Sequence, residues 1–343
     1  ELAAVYVNPR VLISELDRAN KYFSTVKATL DRCQWLTLSL KNNESIELDL
    51  LADYDSNGTP DWWQDWLQVA KSARPSFKSL SADSLFSMSG QVASPSIAKL
   101  ILASLKTQSN LSKDLIQARR VAQGLLLGLD PVADVLPAIG PSWVFSVQSR
   151  DPEDSTSFPV DSLFAIDVKT EATEESPENG KTSVSAEAAL DSSLRSGLGV
   201  LAGVHNVHAI GQKVSIVKER KVGAATIYFA DPVAFFQPAF VISNGQLVLA
   251  TSPDLCETFL ALTANGQTST VSKSGNLQSV VASSVAMRQM LAGQREWFIR
   301  QARRDKVSEA DAERRLKELE QFLQLLDRAW MTASLDSRTL RVS

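Results

Sequence analysis

The side chains best placed by type and spacing to do chemistry lie in Asp53-Tyr54-Asp55-Ser56-Asn57-Gly58-Thr59-Pro60-Asp61-Trp62. Counting from Asp53, oxygen-bearing side chains stand at positions 1, 3, 5, 7 and 9 (Asp53, Asp55, Asn57, Thr59 and Asp61), and Gly58 at position 6 permits a sharp turn. Hard oxygen ligands at this spacing are what a calcium ion requires. The same residues also write a helix start. Ser56-Asn57-Gly58 makes a turn, Thr59 is an N-cap residue, Pro60 suits the first helical position and Asp61 opposes the helix dipole.

The stretch resembles the D-x-D-x-D-G-x-P-D-W calcium loops of exported bacterial proteins, such as thrombospondin type 3-like repeats. The resemblance covers ten residues and departs in two places: Asn57 replaces the third acid, and position 12 is Gln64, with Asp65 beside it. It implies one structural calcium as cofactor, held by Asp53, Asp55, Asn57, Thr59 and Asp61, which braces the loop and catalyses nothing.

Other candidates are thinner. His205 and His208, the only histidines, are spaced to share a zinc face, but no Cys, Asp or Glu nearby completes it, and a helix C-terminus favours histidine in any case. Ser96-Ile97-Ala98-Lys99 and Ser24-Thr25-Val26-Lys27 match S-x-x-K, yet Lys181-Thr182-Ser183 is the nearest thing to a K-T-G and precedes Ser274-Gly275-Asn276, the wrong order for serine β-lactamases. Gly197, Gly199 and Gly203 miss dinucleotide spacing and fall within a helix, so close helix packing is the expectation for them. Cys33 and Cys256 lack redox spacing; they allow one disulfide, with two buried thiols as the leading reading. No catalytic set emerges.

Composition bounds the function from outside. A net charge of −4 over 343 residues gives no field to gather nucleic acid, and no apolar run reaches the roughly 18 residues that a membrane span needs. The chain opens at Glu1 straight into Leu2-Ala3-Ala4-Val5-Tyr6-Val7 without a starting Met, which raises the expectation of a leader or anchor upstream.

The elements that must position these residues repeat. Leu30-Asp31-Arg32-Cys33-Gln34-Trp35-Leu36-Thr37-Leu38-Ser39-Leu40 returns, less one residue, as Leu326-Asp327-Arg328-Ala329-Trp330-Met331-Thr332-Ala333-Ser334-Leu335. Each copy follows a helical pattern (9–30 and 308–326) and leads into a second alternating strand, so the unit is a helix followed by a β-hairpin. Asp83-Ser84-Leu85-Phe86-Ser87-Met88 echoes Asp161-Ser162-Leu163-Phe164-Ala165-Ile166.

Between these, helices are expected over 95–105, 112–129, 131–139 and 185–202, and strands at 143–147, 214–217, 224–229 and 279–282. Residues 171–183 read as an acidic, Ser-rich mobile loop. Asn244-Gly245 predicts a tight hairpin between 239–243 and 246–250, and Ser252-Pro253-Asp254 opens a helix. A helix running through Arg304 and another capped by Ser308, with Leu316, Leu319, Leu323 and Leu326 as internal packing, close the chain as a helical hairpin.

The expected fold is therefore α+β, with duplicated helix and hairpin units forming antiparallel sheets covered by helices. Two lobes, 1–140 and 141–343, are expected to meet near residue 140. The whole also resembles uncharacterised exported or membrane-anchored proteins of planctomycete-type bacteria. Ala4-Val5-Tyr6-Val7-Asn8-Pro9, Gly124-Leu125-Leu126-Leu127-Gly128-Leu129-Asp130 with Leu136-Pro137-Ala138-Ile139-Gly140-Pro141, and Asn244 to Ser252 carry the likeness. It implies an extracytoplasmic place, periplasmic or at the cell surface.

The leading expectation is a non-enzymatic exported protein that binds or scaffolds a protein or cell-envelope partner. The alternatives are a hydrolase whose site assembles between the lobes, and a structural domain of a longer chain.

Overall fold

The computed structural model describes residues 3–7, 33–42, 46–54, 64–66, 68–69, 84–107, 113–150, 159–169, 184–208, 214–231, 236–264, 276–325, 328–335 and 339–342. They form an α+β fold built on one antiparallel sheet of thirteen strands. The strands are β1 (Ala3–Val7), β2 (Cys33–Asn42), β3 (Ile46–Tyr54), β4 (Ser84–Gln91), β5 (Ile139–Ser149), β6 (Val160–Val168), β7 (Val217–Val222), β8 (Ala225–Ala230), β9 (Ala239–Ser243), β10 (Gln246–Ala250), β11 (Asn276–Ser283), β12 (Arg328–Leu335) and β13 (Thr339–Val342). Their spatial order is β1-β2-β3-β13-β12-β11-β4-β5-β6-β10-β9-β8-β7.

The two echoing hairpins lie side by side. β3 pairs antiparallel with β13 through Ala52 and Leu340, so β1-β2-β3 and β11-β12-β13 run in opposite order about that seam. The second echo flanks a single strand, because β4 and β6 are the two neighbours of β5. Residue 140, the expected lobe boundary, falls at the start of β5, and the ladder continues through it from β4 to β6.

Besides short helical stretches at 64–66, 68–69, Pro131–Val135 and Leu136–Ala138, seven longer helices are described: α1 (Ser94–Thr107), α2 (Lys113–Leu125), α3 (Ala186–His208), α4 (Pro253–Ala264), α5 (Ser284–Gly293), α6 (Arg295–Arg304) and α7 (Glu309–Gln324). Local chemistry sets most of their ends. The Ser308 hydroxyl accepts the Asp311 N–H at 3.1 Å to start α7, and the Ser283 hydroxyl accepts the Ala286 N–H to start α5. The single helix expected up to Arg304 is broken at Gln294, where the backbone leaves helical geometry after Gly293. Leu316 and Leu323 pack on Leu291, Phe298 and Ile299, which makes the terminal helices an internal cluster, although Leu319 stays exposed.

The strands from β6 to β8 bury both faces. On one side Ile227, Phe229, Val241 and Val248 meet Leu255, Cys256 and Phe259 of α4. On the other, Phe240, Leu247 and Ala230 meet Leu198 of α3, with Leu190, Leu194 and Tyr228 beside them. Alternation along each strand sends neighbouring residues to opposite helices. Each large side chain so buried contributes about 1.5–3 kcal/mol. Cys256 sits in the first of these layers as a free thiol, which burial pushes up to about 12. The Asn244-Gly245 turn takes positive φ at both residues (52° and 71°), as a two-residue hairpin requires.

Candidate functional site

The predicted calcium residues are only partly described. Asp53 is the penultimate residue of β3, where its backbone pairs with Thr339 on one side and Trp35 on the other. Residues 64–66 and 68–69 are helical, so the loop leads from a strand end to a helix. Asp55, Asn57, Thr59 and Asp61 lie outside the described residues, as do Ser24 to Lys27, the helix expected over 9–30 and the loop 171–183. Among the described residues, no group of three or more His, Cys, Asp or Glu side chains could hold a metal ion.

The other candidates take structural roles. Ser96 is buried and its hydroxyl donates to the Asp65 carboxylate, while the Lys99 ammonium lies 3.8 Å from the same carboxylate. This S-x-x-K therefore ties the first turn of α1 to the helical residues after the loop, and its hydroxyl has no open approach. His205 and His208 close α3, where the partial negative charge of the helix end favours them.

The glycines of α3 overturn their expectation. A Cβ built on Gly197, Gly199 or Gly203 would meet nothing within 4 Å, so among the described residues no helix packs against them. The helix turns that side outward, and what lies around the glycines is apolar. Val200, Val204 and Val207 recur at i, i+4 and i+7, one face of a helix, and are 65%, 53% and 72% exposed. The opposite stripe, Leu194, Leu198 and Ala202, is the one packed on the sheet. From Ser196 to His208 there is no Asp, Glu, Lys or Arg. Along this length the helix is apolar on both sides and covered on one.

A second segment extends the same surface. Val214 and Ile216 are 63% and 51% exposed, and Val217 at the start of β7 and Leu201 of α3 are exposed with them. Polar bonds hold this segment against the end of α3. The Asn206 amide donates to the Ser215 carbonyl at 2.8 Å and accepts the Ser215 N–H at 2.6 Å. The Ser215 hydroxyl, buried, donates to the Asp231 carbonyl at 2.7 Å, and the Asp231 N–H donates to the Ile216 carbonyl at 2.9 Å. Lys218 pairs with the Asp231 carboxylate at 2.7 Å. The polar groups of Asn206, Ser215 and Asp231 at the foot of the surface are thus used inward, and Val214 and Ile216 between them are left facing out.

The outer face has a defined end. One turn from the start of α3, Ala189 lies on the same stripe as Val200 and Val207, eleven and eighteen residues away, yet it is fully buried against Leu126 and Val135. Those two come from the turn just after α2 and the short helical stretch Pro131–Val135, which is fixed by Asp130. The Asp130 carboxylate accepts the N–H groups of Val132 and Ala133, both at 2.9 Å, and receives Arg119 at 2.6–2.7 Å. Burial alone would push this carboxyl up. The Ala133 N–H, the Arg119 guanidinium and the Val132 N–H together outweigh it and hold the group below the usual carboxylate range.

Sequence reasoning missed this surface because it read Gly197 to Gly203 as an inward feature. The signal was present in the second apolar stripe of the same helix. No family model, curated protein or solved structure matches the chain.

Asp130 gives a test of the boundary. A carboxyl lowered in the folded state stabilises at pH above its ordinary value of about 4 and loses that contribution as pH falls through the folded value. Asp130→Asn should cost about 1 kcal/mol near pH 7, a figure reduced for the partial exposure of Arg119, and much less near pH 3. Denaturant titrations of both proteins at the two pH values measure the difference; an equal cost at both would remove the charge from the account.

Proposed function

We propose that this chain is a non-enzymatic exported protein that works by binding or scaffolding, and that the outer face of α3 with residues 214–217 is its recognition surface. The observation that carries the reading is the burial of α3. From Gly197 to His208 the helix carries apolar side chains on two opposite faces, and among the described residues only the face toward the sheet is covered; an exposed apolar stripe of this kind marks a place where something else binds. The helix backbone fixes Val200, Val204 and Val207, and the Asn206, Ser215 and Asp231 bonds fix Val214 and Ile216, so a partner meets a preformed surface and little ordering entropy opposes binding.

In this reading the chain acts outside the cytoplasm, and its β2-β3 and β12-β13 hairpins, each with the helical pattern before it, descend from one duplicated unit. The loop opening at Asp53 carries one calcium ion as a brace. Support for the last point is the delivery of Asp53 by the end of β3 and the return to helix at Gln64, the strand and helix that a ten-residue ligand loop joins. No helix among the described residues is long and apolar enough to cross a membrane.

A photo-crosslinking residue at position 204 should give discrete adducts in the native setting, whereas the same residue at the exposed, charged position Glu313 should give none. Absence of adducts at 204 would contradict the surface. The calcium brace is tested separately by thermal unfolding. Calcium near a hundred times its dissociation constant stabilises by about 2.7 kcal/mol, and the resulting rise in midpoint should vanish in Asp53→Ala with Asp55→Ala. Identical melts with calcium and with chelator would remove the ion from the reading.

A further inference from the structure

We infer that the occupant of the outer face of α3 is a second copy of this chain, the two α3 helices crossing about a two-fold axis. The inference rests on the reading above, in which that face is a recognition surface.

Charge is the first argument. A two-fold contact sets each residue near its own copy, so a charged patch repels itself. The segment from Ser196 to His208 has no charged side chain and incurs no such repulsion. The same absence argues against an anionic lipid surface, which recruits amphipathic helices through Lys and Arg on their polar flank. The edge strand β7, which continues the chain directly from residues 214–216, is guarded by Lys218, Arg220 and Lys221, which a strand-to-strand contact would bring together.

Shape is the second argument. Gly197 and Gly203 flank the Val200, Val204 and Val207 stripe with open space where a Cβ would stand. A low rim on both sides of a valine ridge lets another helix settle to the 8–10 Å axial separation of packed helices. Small residues on the facing helix are what that separation needs, and α3 of a second copy supplies them.

Area is the third. Together Val200, Leu201, Val204, Val207, Val214, Ile216 and Val217 expose on the order of 600 Å², the upper end of the largest patch on a typical monomer, which is commonly a functional surface. A specific interface covers about 800 Å² per partner. The patch alone thus supplies most of one side of a standard interface, and its apolar centre at that.

Sedimentation velocity of the full chain over a range of concentrations tests this. The wild type should pass from monomer to dimer, and Val204→Glu with Val207→Glu should raise the dissociation constant more than about tenfold while leaving the circular dichroism and the melt of the dilute protein unchanged. As an independent check that does not rely on the charged variant, Val204→Cys should form a disulfide-linked dimer under mild oxidation, and a Cys placed at Glu313 should not.

A wild type that stays monomeric throughout overturns the inference. If a crosslinker at position 204 then still captures another protein, the recognition surface stands and its occupant is a different chain. If it captures nothing, the surface reading falls as well. A wild-type dimer unaffected by the charged variant and not trapped by Val204→Cys also overturns the inference, because the copies would then meet elsewhere.

Discussion

Strands buried on both faces need two helical layers, and the part of the sheet from β6 to β8 shows what this demands of the helices. Ile227 and Phe229 point to α4 while Tyr228 and Ala230, their neighbours in β8, point to α3. If either helix were absent, about half of the apolar side chains of these strands would face water, at a cost of roughly 1.5–3 kcal/mol for each large one. α4 is short and fully used by this task. α3 is twenty-three residues long, and from Gly197 onward its second side has no layer over it among the described residues. The open surface is a consequence of the length and composition of that one helix.

Polar chemistry around the surface keeps it from collapsing. Asn206 is the only polar, non-imidazole side chain in the last two turns of α3, and both ends of its amide are spent on the backbone of Ser215. Ser215 in turn spends its hydroxyl on the Asp231 carbonyl at the end of β8. A buried pair of this kind contributes only about 1 kcal/mol net, but leaving either partner unpaired costs more, so the segment 214–216 has one good position. At the other end, Asp130 fixes the turn that covers Ala189 and so determines where the open stripe begins. The surface is bounded by geometry at both ends.

Much of the fold was legible in the sequence where the cause is local. Asn244-Gly245, the Ser308 cap with Asp311, and the alternating strands of both echoing hairpins depend on residues within a few positions of one another, and each lies where the pattern puts it. The α+β class follows from the same patterns. Non-local facts were not legible. That β3 pairs with β13, and so joins the hairpins across nearly the whole chain, is decided by which edges remain open after local folding. The strand expected at 214–217 forms three residues later because Ser215 and Ile216 bond to Asn206 and Asp231, while Lys218 to Lys221 make an edge strand whose charges disguise it. Of the candidate site, the sequence showed the glycines and the valines but not their direction. Direction depends on which stripe the sheet takes, and the leucine stripe, being larger, takes it.

Hydrogen exchange of the peptide spanning 197–208 reads directly whether the outer face of α3 is covered when the protein is at work. Backbone amides in a covered helix exchange more slowly than those in a helix exposed along one side, because each local opening must also break the contact. The account predicts that exchange in this peptide slows as protein concentration rises, while peptides from α7 are unaffected and the Val204→Glu, Val207→Glu variant shows no change at any concentration. Exchange in 197–208 that is the same in both proteins at every concentration would contradict it, and would leave α3 an apolar helix with one side standing in water.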